Sequence, residues 1–318
     1  MDRPRVILHH VHLHASVSGR LDRAVADAAE VGRAAVKRAF LQGRVRIDGR
    51  RARASDPAIP GQVVLMELEP PAGAPVPDSG DPLRVLAGSV LWLVADKPAG
   101  MPTHPLRADE RGTLANAVAA EYPECADASL DPREGGAVHR LDADTSGCVI
   151  FARGREVWEM LRAQLTARTV EKVYLALVAG KVSAGGVCSV PLAQRAGRSV
   201  PVPAERGAGR VPSRAGTPRP AETRWVVARA FPHHTLLEVR IPTGVMHQIR
   251  AHMAYLGHPV AGDLDYGGAA AALPGLDRHF LHAWKVEFER PEGGRVEVQS
   301  PMPPELAEAL TRLGQAGA

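Results

Sequence analysis

The sequence predicts an α+β chain in two parts: a small α/β module, then a larger domain built on strands. Three observations predict this. The chain has 318 residues, more than the roughly 250–300 that one core usually organises. A run rich in Pro and Gly, residues 70–82, divides it. Helical spacing dominates before that run, and strand-like apolar runs at 90–94 and 148–152 follow it. The expected boundaries are therefore 1–69, a linker at 70–89, and 90–318.

In the first part, Val11 and Leu13 alternate with His10, His12 and His14, as on a strand with one apolar face. No Cys or carboxylate turns these histidines into a ligand set. Leu21, Val25 and Ala28 recur at helical spacing, as do Val36, Ala39 and Phe40, which predicts two short helices. Gly43 ends the second helix. Val45 and Ile47 then alternate with Arg44 and Arg46, and Asp48-Gly49 supplies the residues of a tight hairpin turn. The run at 63–68 closes the module as a further strand.

Charge is distributed unevenly. The formal net charge is +4, yet residues 19–53 hold ten basic side chains against four acids. Of the 39 basic residues in the chain only five are lysines. Arginine binds phosphate oxygens in a planar fork, so Arg33, Lys37, Arg38, Arg44 and Arg46 are candidate nucleic-acid contacts. The competing explanation for so much Arg, Ala, Gly and Pro is a GC-rich genome, and a solvated basic face on a protein-binding module is the bland alternative. Three scattered cysteines, Cys125, Cys148 and Cys188, form no CxxC pair and suggest neither a disulfide framework nor zinc. With no apolar run of about 18 residues, a cytoplasmic protein without a membrane partner is expected.

The chemistry-bearing segments lie in the second part. His139-Arg140-Leu141-Asp142-Ala143-Asp144-Thr145-Ser146-Gly147 places a carboxylate beside a cation at the mouth of the apolar strand 148–152. Asp96-Lys97-Pro98-Ala99-Gly100-Met101-Pro102-Thr103-His104-Pro105 directly follows a strand. In the run beginning Glu171-Lys172-Val173-Tyr174, period two puts Lys172, Tyr174, Ala176 and Val178 on one face. Thr243-Gly244-Val245-Met246-His247-Gln248-Ile249-Arg250 opens a helix whose buried stripe should be Ile249, Met253 and Leu256, ended by Gly257 and Pro259.

These four segments, in this order, resemble the RluA-type pseudouridine synthases, enzymes that isomerise uridine in RNA. Residues 20–68 resemble the small RNA-binding module, named after a small-subunit ribosomal protein, that often precedes their catalytic domain. The resemblance implies a mixed, largely antiparallel sheet with a central cleft. It makes Asp142 the catalytic carboxylate, Arg250 its partner and Tyr174 the aromatic face for the base. It makes Arg140 the side chain that fills the space left by the everted nucleotide. His139, Lys172, His247 and Gln248 are the further expected substrate contacts. Two positions depart from the usual pattern: Asp96 stands where Asn is common, and Val245-Met246 where Arg-Thr is common.

The expected reaction is cleavage of the N1–C1′ bond, rotation of the base and rejoining through C5. It needs no redox change, so no metal or organic cofactor is expected. His247, His252, His258 and Asp263 match no helical metal-ligand spacing. Ribosomal RNA is the first expected partner. Transfer RNA, or a non-catalytic ribosome-assembly role on the same fold, are the alternatives. The Gly- and Pro-rich segment 194–220, with six arginines and one acid, reads as a long mobile insertion. Nothing in the sequence bears on oligomeric state.

Overall fold

The computed structural model describes residues 7–14, 17–29, 33–68, 73–107, 109–203 and 216–315. They form two compact units, Met1–Gly73 with Leu106–Asp109, and Ala74–Pro105 with Glu110–Ala318.

The first unit runs β1 (Ile7–His12), α1 (Leu21–Ala28), α2 (Arg33–Leu41), β2 (Val45–Ile47), β3 (Arg50–Arg51) and β4 (Val63–Leu68). Its sheet has the order β1-β4-β2-β3 with antiparallel pairing throughout. Local chemistry sets each boundary. Gly43, at φ 71°, lets the Arg44 N–H reach back to the Ala39 carbonyl and stops α2. Asp48 and Gly49, at φ 49° and 75°, make the turn between β2 and β3. Leu21, Val25, Val36, Phe40, Val64 and Met66 pack as its core. Val11 and Leu13 join that core while His10, His12 and His14 face out. Lys37 and Arg46 are exposed, and Arg38 and Arg44 are half-buried. The Arg33 side chain lies outside the described residues.

The second unit comprises β5 (Val85–Gly88), β6 (Trp92–Lys97), α3 (Leu114–Glu121), β7 (Ser146–Ala152), α4 (Arg155–Thr166), β8 (Glu171–Ala179), β9 (Gly186–Cys188), β10 (Leu192–Arg195) and β11 (Arg198–Pro201). There follow β12 (Thr223–Ala230), β13 (His234–Arg240), α5 (Gln248–Tyr255), α6 (Leu264–Gly267), β14 (Leu281–Glu289), β15 (Arg295–Gln299) and α7 (Pro304–Gln315). Nine of these strands make one sheet, ordered β5-β6-β7-β14-β8-β13-β12-β9 with β15 beside β14. Only β7 and β14 run parallel, so the sheet is mixed and largely antiparallel.

Helices cover both faces of the sheet. Leu93, Val149, Tyr174, Ala176 and Leu237 meet Leu114 and Val118 of α3 and Ile249 and Met253 of α5 on one face. Val94, Ile150, Phe288 and Val298 meet Val157, Trp158 and Leu161 of α4 on the other. Every residue of β7 is buried, as its unbroken apolar sequence requires of a strand covered on both sides.

Three expectations differ from what is observed. Segment 70–89 is less of a linker than its prolines suggest. Val85–Gly88 joins the sheet as β5, and the Asn116 side chain donates to the Val76 carbonyl at 2.8 Å, tying the preceding stretch to α3. The flanks of 194–220 are packed structure: β10 and β11 form a hairpin, and Arg219 bridges back to Leu192. Residues 204–215, with Arg206, Arg210 and Arg214, lie outside the described residues. Leu256 caps α5 and is 38% exposed, because the helix ends at Tyr255, short of the expected third apolar position. Among the described residues no helix is long and apolar enough to cross a membrane.

Candidate active site

Asp142 stands on a loop whose backbone is pinned at almost every residue. Thr103 Oγ1 donates to the Leu141 carbonyl and accepts from the Leu141 N–H, at 2.9 and 3.1 Å. Lys97, fully buried, donates to the carbonyls of Pro98, Met101 and Ala143 at 2.6–2.7 Å. Burial pushes this ammonium down to about 7. Arg278 holds the Asp144 carbonyl, and the Thr145 N–H closes a turn onto the Asp142 carbonyl. His139 accepts the Ile150 N–H through Nε2, which ties the loop to β7; desolvation drives its pKa to about 3, so the ring is neutral. The Asp142 side chain is left free of these tasks and opens onto a cavity of about 630 Å³. That volume lies in the range of small-molecule sites, roughly 300–1,000 Å³.

Arg250 reaches Asp142 from α5, with Nη1 3.3 Å from Oδ2. Its tighter partner is Asp263, which takes Nε and Nη2 in a fork at 2.6 and 2.9 Å and is itself fully buried. Asp265 adds a contact to Nη2 at 3.3 Å, and the Tyr266 ring lies against the guanidinium, 5.1 Å from its centroid. Burial acts to lower the Arg250 pKa, but Asp263 and then Asp142 outweigh it and hold the group charged. The Asp263 carboxyl is likewise held below its ordinary range: burial acts to raise it, and the hydrogen bonds from Arg250 prevail. One cation thus serves three acids, and a fork to Asp263 leaves Nη1 aimed at the cavity.

His247 caps α5 in the left-handed conformation, φ 55°, which costs a non-glycine residue roughly 1–2 kcal/mol. The ring is held edge-on to Tyr266, with Nδ1 3.0 Å from the phenolic oxygen and Nε2 3.9 Å from Asp142. Burial lowers its pKa against the pull of Asp142, so it is a neutral neighbour of the carboxylate. Tyr266 Oη also accepts the Ser199 N–H, so the β10–β11 hairpin braces this wall.

Across the cavity, β8 contributes Tyr174 and Lys172. Tyr174 is 6% exposed, and burial, reinforced by Asp142, raises its phenol so that it stays protonated. Burial brings the Lys172 ammonium down to about 8. Arg140 is exposed at the cavity edge, beside Arg162 and Arg168.

The candidate residues Asp142, Tyr174, Arg250, Arg140, His139, Lys172, His247 and Gln248 all line this one cavity. Gln248 does so with its amide already engaged. Nε2 donates to the Glu222 carbonyl and to Thr223, and Oε1 accepts from Thr243 and the Val245 N–H. It shapes the 243–245 turn and has no hydrogen bond left over for a ligand. Sequence reading missed Asp263, Tyr266, Thr103 and the structural part of Lys97. The acids 13 and 15 residues beyond Arg250 were the available signal, and only the tertiary fold shows which one it meets.

Both departures from pattern have local explanations. Asp96 accepts from Ser300 at 2.6 Å and pairs with Arg84 at 3.2 Å, and neither contact belongs to the cavity wall. Val245 is buried with Leu192, Ala221 and Ala251, so an apolar residue suits a site that the hairpin covers.

A family model described as RNA pseudouridylate synthase matches residues 91–255. The chain is 39% identical to an uncharacterized RNA pseudouridine synthase of Chloroflexus aurantiacus, over 92% of this chain and 90% of that protein. It is 35% identical to the ribosomal large subunit pseudouridine synthase D of Xanthomonas campestris, over 89% and 85%. The solved structure of human RNA pseudouridylate synthase domain containing 1 shares the fold, with a TM-score of 0.57 over 76% of this chain and 96% of that one, at 24% identity. With the family model spanning half the chain and a relative matched along nearly all of it, this chain belongs to the RluA-type RNA pseudouridine synthases.

Proposed function

We propose that the protein isomerises specific uridines of ribosomal RNA in the cytoplasm, with Asp142 as the catalytic carboxylate. The observation that carries this reading is the 3.3 Å contact between Arg250 and Asp142 in the wall of a nucleotide-sized cavity that Tyr174 also lines. Relatives named as ribosomal large subunit synthases support the substrate class.

Two routes are open to Asp142. As a nucleophile it attacks C1′, and the N1–C1′ electron pair goes to N1. As a base it takes the 2′ proton, the C2′–H electrons form a C1′=C2′ bond, and the N1–C1′ pair again goes to N1. Arg250 pairs with Asp142 beforehand at 3.3 Å, and the neutral His247 stands on its other side. The freed ring stacks on Tyr174, a contact worth about 1–3 kcal/mol, and turns until C5 faces C1′. C5 then bonds to C1′, either displacing the Asp142 carboxylate from its ester or adding to the C1′=C2′ bond as Asp142 returns the proton to C2′, and the C5 proton leaves to solvent. Arg140 fills the space that the everted nucleotide vacates in the RNA. His139 acts through the loop it anchors, and Gln248 through the turn it holds. Residues 1–69 form a basic RNA-binding module that grips folded RNA through Arg33, Lys37, Arg38, Arg44 and Arg46; 90–318 is the catalytic domain.

Ribosomal RNA transcripts tritiated at uridine C5 test this directly. Tritium release without strand cleavage or free uracil is the expected result, and Asp142→Asn should abolish it. Release that persists in the Asn variant removes Asp142 from the chemistry.

A further inference from the structure

Lys172 sits in the cavity wall 7% exposed, and its surroundings differ from those of every other buried cation near the site. Arg250 has three carboxylates and Lys97 three carbonyls. Among the described residues, no carboxylate lies within 4.0 Å of Lys172 Nζ, and no hydrogen bond is made by it. Its nearest named neighbour on the 243–245 turn is Gly244, where a β-carbon would stand 3.8 Å from Nζ. A buried cation with no partner costs stability, since desolvation is uncompensated. Because the side chain lines the open cavity, solvent offsets part of that cost, and an anion that enters the cavity offsets more.

The proposed reaction supplies such an anion. By either route Asp142 loses its negative charge, to a C1′ ester or to a 2′ proton, and the cleaved pair leaves one negative charge on the uracil ring, spread over N1, O2 and O4. The charge therefore moves away from Arg250, which remains fixed by Asp263 and Asp265. We propose that Lys172 is the cation that receives it, hydrogen-bonding a carbonyl oxygen of the detached uracil anion while the ring rests against Tyr174. This rests on the pseudouridine synthase reading above. Tyr174 and Lys172 stand two residues apart on one strand face, so the same strand offers the ring a stacking surface and a counter-charge. A donor aimed at charge that develops only during reaction acts on the rate and hardly on ground-state binding.

The competing anion is an RNA phosphate, because Lys172 also borders a second depression lined by Arg168, Arg224, Arg240 and Arg295. Single-turnover tritium release from C5-tritiated ribosomal RNA transcripts, with filter binding of the same RNA across salt concentrations, separates the two. For Lys172→Met the limiting rate should fall about 10²-fold or more, RNA affinity should stay within about twofold, and the melting temperature should be no lower than that of the wild type. Lys172→Arg should recover most of the rate, which marks the loss as one of charge even if the Met variant is less stable. An unchanged rate overturns the proposal. So does a loss confined to affinity with a shallower salt dependence, the signature of a phosphate contact. If the wild type releases no tritium, the enzyme reading itself fails; if it does and Lys172→Met matches it, only the role of Lys172 fails.

Discussion

The two walls of the cavity manage buried charge in opposite ways. On the α5 side, one guanidinium meets Asp142, Asp263 and Asp265 in a closed set of ion pairs. On the β8 side, an ammonium and a phenol, Lys172 and Tyr174, face the same space, and among the described residues no acid lies beside the ammonium. The first wall is complete before substrate arrives and the second is completed by it. A shared network of ion pairs fixes the position of Asp142, while a cation without an acid suits a species that exists only during the proposed reaction.

Disrupting the closed wall should have the larger effects. Arg250→Met should lower the limiting rate of tritium release about 10³-fold, since it removes the partner of Asp142 and leaves Asp263 buried without a cation. Thermal or urea unfolding should show a loss of roughly 3–5 kcal/mol. Asp263→Asn should be milder in activity, about 10- to 100-fold in rate, because Arg250 keeps its charge but loses its fork and shifts from Asp142. A rate loss equal to that of Arg250→Met would show instead that the two residues act as one unit.

Asp263 also predicts a pH dependence of stability. Its folded-state pKa is depressed below the ordinary carboxylate value of 3.8. A depressed acid contributes stability that is fully present above the unfolded pKa and is lost as pH falls through the folded one. Unfolding measured from pH 5 downward should therefore become easier below about 4, and Asp263→Asn should flatten that part of the curve.

The smallest effect belongs to the other unit. Replacing Lys37, Arg38 and Arg46 together with Ala should raise the KM for RNA and flatten the salt dependence of binding by up to about one for each cation that meets a phosphate. Affinity that is unmoved, with an unchanged salt slope, would remove this face from RNA binding.

Legibility in the sequence follows how far apart the interacting residues are. The helices and hairpin of the first unit could be read because Gly43, Asp48 and Gly49 act within their own few residues. Strand β7 could be read because 148–152 is an unbroken apolar run. The proximity of Asp142 and Arg250, separated by 108 positions, came from resemblance to a family and not from any spacing rule. The fork from Arg250 to Asp263 could not be read, since the chain after α5 must fold back on the helix before that pair exists. The hairpin β10–β11 was hidden for a related reason. Its own sequence mixes apolar and polar residues without a strong period, and what orders it is long-range: Tyr266 Oη on the Ser199 N–H, Ser199 Oγ on the Met246 carbonyl, and Asp265 on Arg198. Gln248 shows the reverse error, a residue placed in the right cavity whose amide turns out to be wholly engaged by the scaffold.

The clamps on residues 139–145 carry a consequence for the RNA. Lys97, Thr103, Arg278 and His139 hold that loop from several directions, so the carboxylate behaves as a fixed anvil and little of the protein is free to follow a misplaced sugar. Distortion then falls on the transcript, and a uridine already loosened by a bulge or loop reaches the anvil more cheaply than the same uridine in an unbroken helix. Discrimination among uridines in this enzyme would in that way be set as much by how pliable each stretch of RNA is as by its letters.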